Sequence, residues 1–440
     1  MSSEWPSVSI GDVAGSWKGS MAVGPFGSRM KADLYVPLGV RVIRGNNLSG
    51  GREPEGHYVH VSEEIADSLA SCCLLPGDLV FPHRGNIGEV GITPDDGLRY
   101  MLSTSLMKLS PDRTKADPLF LMYFFKSAVG RGALLMNASQ VGTPGIATPL
   151  KSLRGIQLPL PPLMVQRQIA ATLSALDDRI TLLRETNATL KAIAQALFKS
   201  WFVDFDPVRA KLEGRAPEGM GEATAGLFPA RCEESELGLV PRGWRIKPLD
   251  EVANFLNGLA LQKFPPTDDA WLPVIKIAQL RKGDTVGADR AGRNLKPEYV
   301  IQNGDVLFSW SGSLEVEVWC GGEGALNQHL FKVTSHNYPK WFYYLWTKHH
   351  LEHFRQIAAS KATTMGHIQR AHLRQAKAIT PPEAFVSAVG EYFAPLLDRW
   401  IATALQAQTL ATLRDTLLPR LISGQLRLPE AKLQIQKAAI

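Results

Sequence analysis

LPLPPLMVQRQIAATLSALDDRITLLRETNATLKAIAQALFKSWFVDFDPV (residues 158–208) decides the architecture. Pro161-Pro162 stops any helix that precedes it, because proline lacks the N–H and clashes with the turn before it. Beyond the prolines, apolar side chains fall at Ile169, Leu173, Leu176, Ile180, Leu183, Leu190, Ala194, Leu197 and Trp201. The steps alternate between four and three, which is a heptad seam. Asn187 interrupts it, and a lone polar residue in a seam fixes register at some cost in stability. From Gln166 to Lys199 such a helix is about 50 Å long at ~1.5 Å per residue.

The pattern recurs 220 residues later. Pro161-Pro162, Leu176, Asp178, Arg179, Leu190 and Leu197 meet Pro381-Pro382, Leu396, Asp398, Arg399, Leu410 and Leu417. The second seam runs Val389, Phe393, Leu396, Trp400, Thr403, Ala407, Leu410, Leu417 and Leu421, with Arg414 as a charged exception. Pro395 is expected to kink or restart the helix near its beginning. Upstream, LPGDLVF (75–81) resembles QNGDVLF (302–308), RVIRGNNL (41–48) resembles PVIKIAQL (273–280), and SIGDVAG (9–15) resembles PLDEVAN (248–254). A repeat of this kind sets the architecture. The fold class is α+β: two mixed α/β globules in tandem, separated by long helices forming an antiparallel coiled coil. The expected boundaries are 1–158 for the first globule, 159–209 for the central spacer and 210–240 for a surface linker without a seam. The second globule follows at 241–379, then a distal spacer with the C-terminal tail at 380–440. Two matched seams in one chain can pack on each other, and a rigid rod between similar globules acts as a ruler. A plain bundle core is the other reading.

Composition narrows the class. Hydrophobic residues make up 45% of the 440-residue chain, enough for globular cores. The start, MSSEWPSVSI, lacks the basic and apolar stretches of a signal peptide. No apolar run approaches the roughly 18–20 residues of a membrane helix, so a cytoplasmic protein is expected. Cys72, Cys73, Cys232 and Cys320 show no metal or disulfide spacing and read as ordinary thiols. Net charge is +6, and the excess is uneven. Residues 1–150 hold 13 Lys/Arg against 14 Asp/Glu, whereas residues 241–378 hold 18 against 12. A basic second globule suits a polyanionic partner. PLFLMYFFKSAV (118–129) and PKWFYYLWTKHHLEHF (339–354) have helical spacing, which favours core packing over base stacking.

Catalytic motifs do not emerge. The Pro-Pro pairs LPPL (160–163), FPPT (264–267) and TPPE (380–383) lack the Asn/Asp and aromatic flanks of an adenine methyltransferase. No GxxxxGK[ST] phosphate loop is present. PDRTK (111–115) lacks the acidic residue a nuclease places two before its lysine. His349-His350-Leu351-Glu352-His353 satisfies the H-x-x-E-H zinc-peptidase pattern. Without a third ligand, a solvated histidine-rich helix end near basic residues is the favoured reading, and no metal is expected.

These residues resemble the specificity subunit of type I restriction–modification systems over nearly the whole chain. Residues 158–208 are similar to that family's central spacer, and LRDTLLPRLISGQL (413–426) to its distal spacer. EWPSVSIGDVA (4–14) and LGLVPRGWRIKPLDEVA (237–253) are similar to the openings of its recognition domains. The resemblance implies two target-recognition domains, each reading one half of a split, asymmetric site on double-stranded DNA. The spacer helices would hold them apart and dock methylation subunits. Those subunits would bring S-adenosylmethionine to methylate adenine N6, and restriction subunits would cut with ATP and Mg. No cofactor is implied for this chain, nor a membrane. A methylation-only system and a coiled-coil protein scaffold are the alternatives.

DNA contacts are then expected in the polar, glycine-containing loops before each spacer. These are Asn137, Ser139, Gln140, Thr143 and Gly145, and the corresponding Ser360, Lys361, Thr363, Thr364 and Gly366. Arg44, Arg84, Lys276, His367, Arg370 and Arg374 add basic character. Asn137 or Gln140 suits bidentate pairing with adenine, and arginine suits guanine.

Overall fold

The Gly-Asp pairs of LPGDLVF and QNGDVLF form turns that anchor each globule. Gly77 and Gly304 take φ of 84° and 89°, a backbone region that glycine enters without steric cost. The carboxylates that follow close the turns. Asp78 accepts from the backbone N–H of Leu75 at 3.0 Å, and Asp305 from that of Gln302 at 2.8 Å. Each turn launches a fully buried strand, Leu79–Pro82 and Val306–Ser309. Burial on both faces explains why these strands read as unbroken apolar runs. A lysine from the neighbouring strand reaches back to each carboxylate, Lys108 to Asp78 at 3.3 Å and Lys332 to Asp305 at 2.7 Å. The same lysines also donate to the carbonyls of Cys73 and Val300.

A computed structural model describes residues 5–26, 29–48, 50–139, 144–267, 269–360 and 366–438. The chain divides into two compact units, residues 1–180 with 409–440 and residues 181–408. The first holds a four-stranded sheet in the order Met21–Val23, Leu106–Leu109, Leu79–Pro82, Gly91–Ile92. Its second sheet runs Val59–Val61, Val40–Ile43, Tyr100–Leu102, Cys73–Leu74. The second unit repeats both orders: Asn254–Asn257, Leu330–Thr334, Val306–Ser309, Val316–Val318, and Arg290–Gly292, Trp271–Ile275, Gly324–Leu326, Val300–Ile301. In each unit the second sheet contains one parallel pair, Val40–Ile43 with Tyr100–Leu102 and Trp271–Ile275 with Gly324–Leu326. The two α/β globules are thus built alike, strand for strand.

The aromatic helices are core elements. Asp117 caps Pro118–Lys126 by accepting from Phe120 N at 3.0 Å, and Phe120 to Phe125 are all buried. Phe125 meets Phe81 edge-on, with ring centres 4.7 Å apart. Trp341 to Thr347 of Lys340–His349 are buried in the same way.

The long helices are Leu163–Phe198 and Glu383–Ser423. Within the second unit they run antiparallel. Asn187 is hydrogen-bonded to Thr403, Lys191 Nζ lies 4.2 Å over the Trp400 ring, and Trp201 is 5.6 Å from Phe393. The polar interruption of one seam therefore meets a hydroxyl on the other. Within the first unit the charged exception is also matched, Arg414 donating to Asp177 at 2.6 Å. Ile169, Leu173, Leu176, Ile180, Leu183, Phe393, Trp400, Leu410 and Leu417 are buried, while Leu190, Leu197 and Leu396 are half-buried. Beside Leu396, the buried place belongs to Leu397.

Two expectations change. Of the kink or restart expected at Pro395, the restart does not occur, because the helix is continuous from Glu383 to Ser423. Its ring is exposed, where water can serve the carbonyl it leaves unbonded, and Phe393, Leu397 and Trp400 hold the turn around it. The segment after the first helix is more than a surface connection. It forms helices Asp206–Leu212 and Glu222–Leu227 and the hairpin Cys232–Ser235 with Gly238–Pro241. Phe202, Phe205, Val208 and Phe228 join the core beside Trp244 and Phe385.

At the histidine-rich helix end, His349 and His353 are exposed and His350 is half-buried. His350 Nε2 donates to the Lys377 carbonyl at 2.9 Å, and its ring stacks on Trp346. Among the described residues, no three His, Cys, Asp or Glu side chains converge as metal ligands. Burial holds the His350 imidazole down to about 4, and lowers His349 too. The unfolded chain takes up these protons near pH ~6.5, so it gains protons first as pH falls. Stability is therefore retained above about pH 6.5 and declines towards pH 4, by up to about 3 kcal/mol from His350. Denaturant titrations at pH 7.5 and 5.0 should show this loss, and His350→Asn should flatten it. An unchanged slope in the variant would refute the assignment.

The four cysteines are free thiols, and burial raises the pKa of each, Cys320 to about 11. Among the described residues, no helix is long and apolar enough to cross a membrane.

Candidate nucleic-acid interface

In the first unit, parallel strands Val40–Ile43 and Tyr100–Leu102 end side by side, with Ser103 N donating to Ile43 O at 2.9 Å. The residues that leave them are Arg44 on one side and Thr104 on the other. Strand Leu79–Pro82 ends at the same place, because His83 N donates to Ser105 O at 2.9 Å. Arg84 follows, exposed. Three chain segments thus converge on one rim.

The glycine-containing loop is tied to this rim. Gly85 N donates to Pro144 O at 3.0 Å and Ile146 N to His83 O at 2.9 Å, and Arg84 bridges Gly145. Ala138–Ser139 pairs with Gly145–Ile146, so Ser139 is joined to Arg84 through Gly145, and both Asn137 and Ser139 are exposed. Gln140 and Thr143 lie outside the described residues.

The second unit uses the same two bonds. Gly312 N donates to Gly366 O at 2.8 Å and Ile368 N to Trp310 O at 2.9 Å, and Ser311 bridges His367. Ser360 ends the preceding helix, exposed. Lys361, Thr363 and Thr364 lie outside the described residues. A segment fixed to the rim at its base in this way is suited to groove contacts.

The basic candidates divide. Arg44 and Lys276 are equivalent helix caps, each N–H bonded to the side chain three residues on, Asn47 at 2.9 Å and Gln279 at 3.2 Å. Arg44 Nε is buried without a hydrogen-bond partner among the described residues, whereas Lys276 is paired with Asp289. Arg370 is turned to the fold, donating to Phe255 O at 3.0 Å with its guanidinium over Phe331. Arg374 faces Glu251 at 3.9 Å.

The Arg44 loop is braced from behind. Lys126 Nζ donates to Gly50 O at 2.9 Å and Gly51 O at 2.7 Å, and burial lowers its pKa. Arg52 donates to Ser174 at 2.5 Å and Asp178 at 2.9 Å on the long helix. Tyr123 donates to Asp177 at 2.7 Å, so globule and helix share one polar network.

Sequence reasoning missed part of the rim. Burial lowers the pKa of His83, and its Nε2 donates to Thr104 O at 3.2 Å. Trp310 Nε1 donates to Gln328 O at 3.2 Å in the other unit. The turns at 103–105 and 327–329 carry no motif, and only strand pairing brings them to the loops.

Comparison with known proteins agrees with this construction. A family model described as the type I restriction modification DNA specificity domain matches residues 2–192 and 241–385. The HindI type I restriction enzyme specificity subunit of Haemophilus influenzae is 26% identical over 403 residues, covering 80% of this chain and 86% of the relative. The MjaIX specificity subunit of Methanocaldococcus jannaschii is 25% identical over 296 residues, covering 63% and 62%. Among solved structures, the S subunit of a type I restriction–modification system from M. genitalium shares the fold, with a TM-score of 0.55, 15% identity and 96% of both chains covered. Two matched segments covering most of the chain, each coinciding with one repeat of the same sheet pair, place it: the chain belongs to the type I restriction–modification DNA specificity family.

Proposed function

We propose that this chain is the non-catalytic DNA-reading subunit of a cytoplasmic type I restriction–modification complex, recognising a split, asymmetric site with one globule per half. The observation that carries the reading is the duplicated loop anchor: Gly85–Pro144 with Ile146–His83, and Gly312–Gly366 with Ile368–Trp310. Two similar frames with different loop residues suit two different half-sites. A few base pairs read by one globule give modest discrimination, at about 1–3 kcal/mol per base pair, and two globules on one spacer combine theirs.

Methylation subunits carrying S-adenosylmethionine would act on adenine N6, and restriction subunits carrying ATP and Mg would cut. The role of this chain is to choose the site. Lysine and arginine contacts to phosphate make binding fall with salt, and rim side chains read base edges. Asn137, Ser139, Gln140, Thr143, Gly145, Arg44 and Arg84 are the contacts proposed for the first half. Ser360, Lys361, Thr363, Thr364, Gly366, His367, Lys276, Arg370 and Arg374 are those for the second.

The test is methylome sequencing of a host co-expressing the chain with its cognate methylation subunit. Two short defined sequences around a fixed undefined gap are expected. Methylated adenines without such a motif, from a verified complex, would overturn the two-globule reading.

A further inference from the structure

The rim of each unit is held by the same backbone bonds but carries different side chains. His83 N donates to Ser105 O at 2.9 Å, and Trp310 N to His329 O at 3.3 Å. The ring nitrogens of His83 and Trp310 each hold the carbonyl one residue earlier, Thr104 and Gln328. Gly24 N donates to Leu106 O and Gly258 N to Leu330 O, at 2.8 and 3.0 Å. By these bonds Arg84 corresponds to Ser311, Thr104 to Gln328 and Ser105 to His329. The fold uses the backbone at these positions, which leaves their side chains free to differ in chemistry.

Resting on the DNA-reading role above, we infer that His329, oriented by Ser311, reads a base edge in the second half-site, and that positions 84/311 and 105/329 separate the specificities of the two globules.

His329 is half-buried, with Nδ1 2.9 Å from the Ser311 hydroxyl and its ring 5.8 Å from that of Trp310. Ser311 is itself buried. A hydroxyl both donates and accepts, so it satisfies either imidazole tautomer. Among the described residues Nε2 has no hydrogen-bond partner. As a donor, Nε2 matches N7 or O6 of guanine or O4 of thymine; as an acceptor, it matches the amino group of cytosine or adenine. A ring already held by Ser311 and Trp310 loses little rotamer freedom on contact, which favours binding. The first unit offers different groups at the same frame. Arg84 is an exposed guanidinium with the fork geometry for guanine, and Ser105 has only a short hydroxyl. Ser311 is a positioning residue, since it acts through His329.

The experiment is methylome sequencing of the full complex carrying His329→Ala, His329→Gln or Ser311→Ala, beside wild type and Arg84→Ala. His329→Ala should lose about 10- to 100-fold of discrimination at one base pair, confined to the half that Arg84→Ala leaves intact. Ser311→Ala should weaken preference at the same base pair, with complex yield and melting temperature unchanged. If His329→Ala fails to assemble, His329→Gln and Ser311→Ala decide. An unaltered motif in every assembled variant would overturn the inference. A wild-type complex without a split motif would instead overturn the DNA-reading role itself.

Discussion

Asp78→Ala is expected to destabilise the first unit by about 3–5 kcal/mol, the cost of leaving a buried charge without its partner. Lys108 and Asp78 are only 5% and 3% exposed, so water cannot replace the lost carboxylate. The substitution would leave the Lys108 ammonium with the Cys73 carbonyl and strip the Leu75 N–H of its acceptor. Asp305→Ala removes the corresponding group, but Lys332 and Asp305 are 14% and 22% exposed. Its cost should be smaller, about 1–3 kcal/mol. Chemical denaturation of the full chain, followed separately in each unit, measures both. The double variant Asp78→Leu with Lys108→Met should recover much of the first loss, because two apolar groups of similar size leave no orphaned charge. Equal losses for the two alanine variants would show that burial is not what distinguishes the pairs.

Gly24→Ala and Gly258→Ala should each damage one globule and spare the other. A Cβ at Gly24 would lie 1.8 Å from Ser103 O, and one at Gly258 would lie 2.2 Å from Asn327 O. Neither obstacle is a flexible side-chain end, so the turn itself must move. Overpacking of this kind costs about 1–3 kcal/mol, and more where backbone is displaced. The displaced turns carry Thr104 and Ser105 in one unit, and Gln328 and His329 in the other. Gly24→Ala should therefore degrade one half of the methylated motif and Gly258→Ala the opposite half. Melting curves and methylomes of the two variants check both effects. Loss of both halves in either variant, or wild-type stability in both, would contradict the duplicated frame.

The long helices were legible because a seam is local information, repeating every three or four residues along one face. The duplication was legible where both copies kept the same residue type, as at Gly77-Asp78 and Gly304-Asp305. It was not legible at His83 and Trp310, which share only a ring N–H aimed at an equivalent carbonyl. Lys108 and Lys332 also passed unnoticed, since a lysine in a strand gives no sign of being buried until its carboxylate partner is known. Residues 210–240 read as a surface connection because their composition lacks periodicity. Among them, Phe228 finds its place on Phe385, which neighbours it only in the folded unit.

The sequence by itself determined that there are two globules, two seamed helices and Gly-Asp turns launching buried strands, all of which follow from patterns a few residues long. The tertiary structure decided which polar groups meet: Asn187 with Thr403, Arg414 with Asp177, Ser311 with His329. It also decided that the turns at 103–105 and 327–329 share a rim with the loops before each spacer. The physical reason is that strand pairing and helix packing set these distances across 18 to more than 200 residues of chain, where residue type carries no trace of the partner.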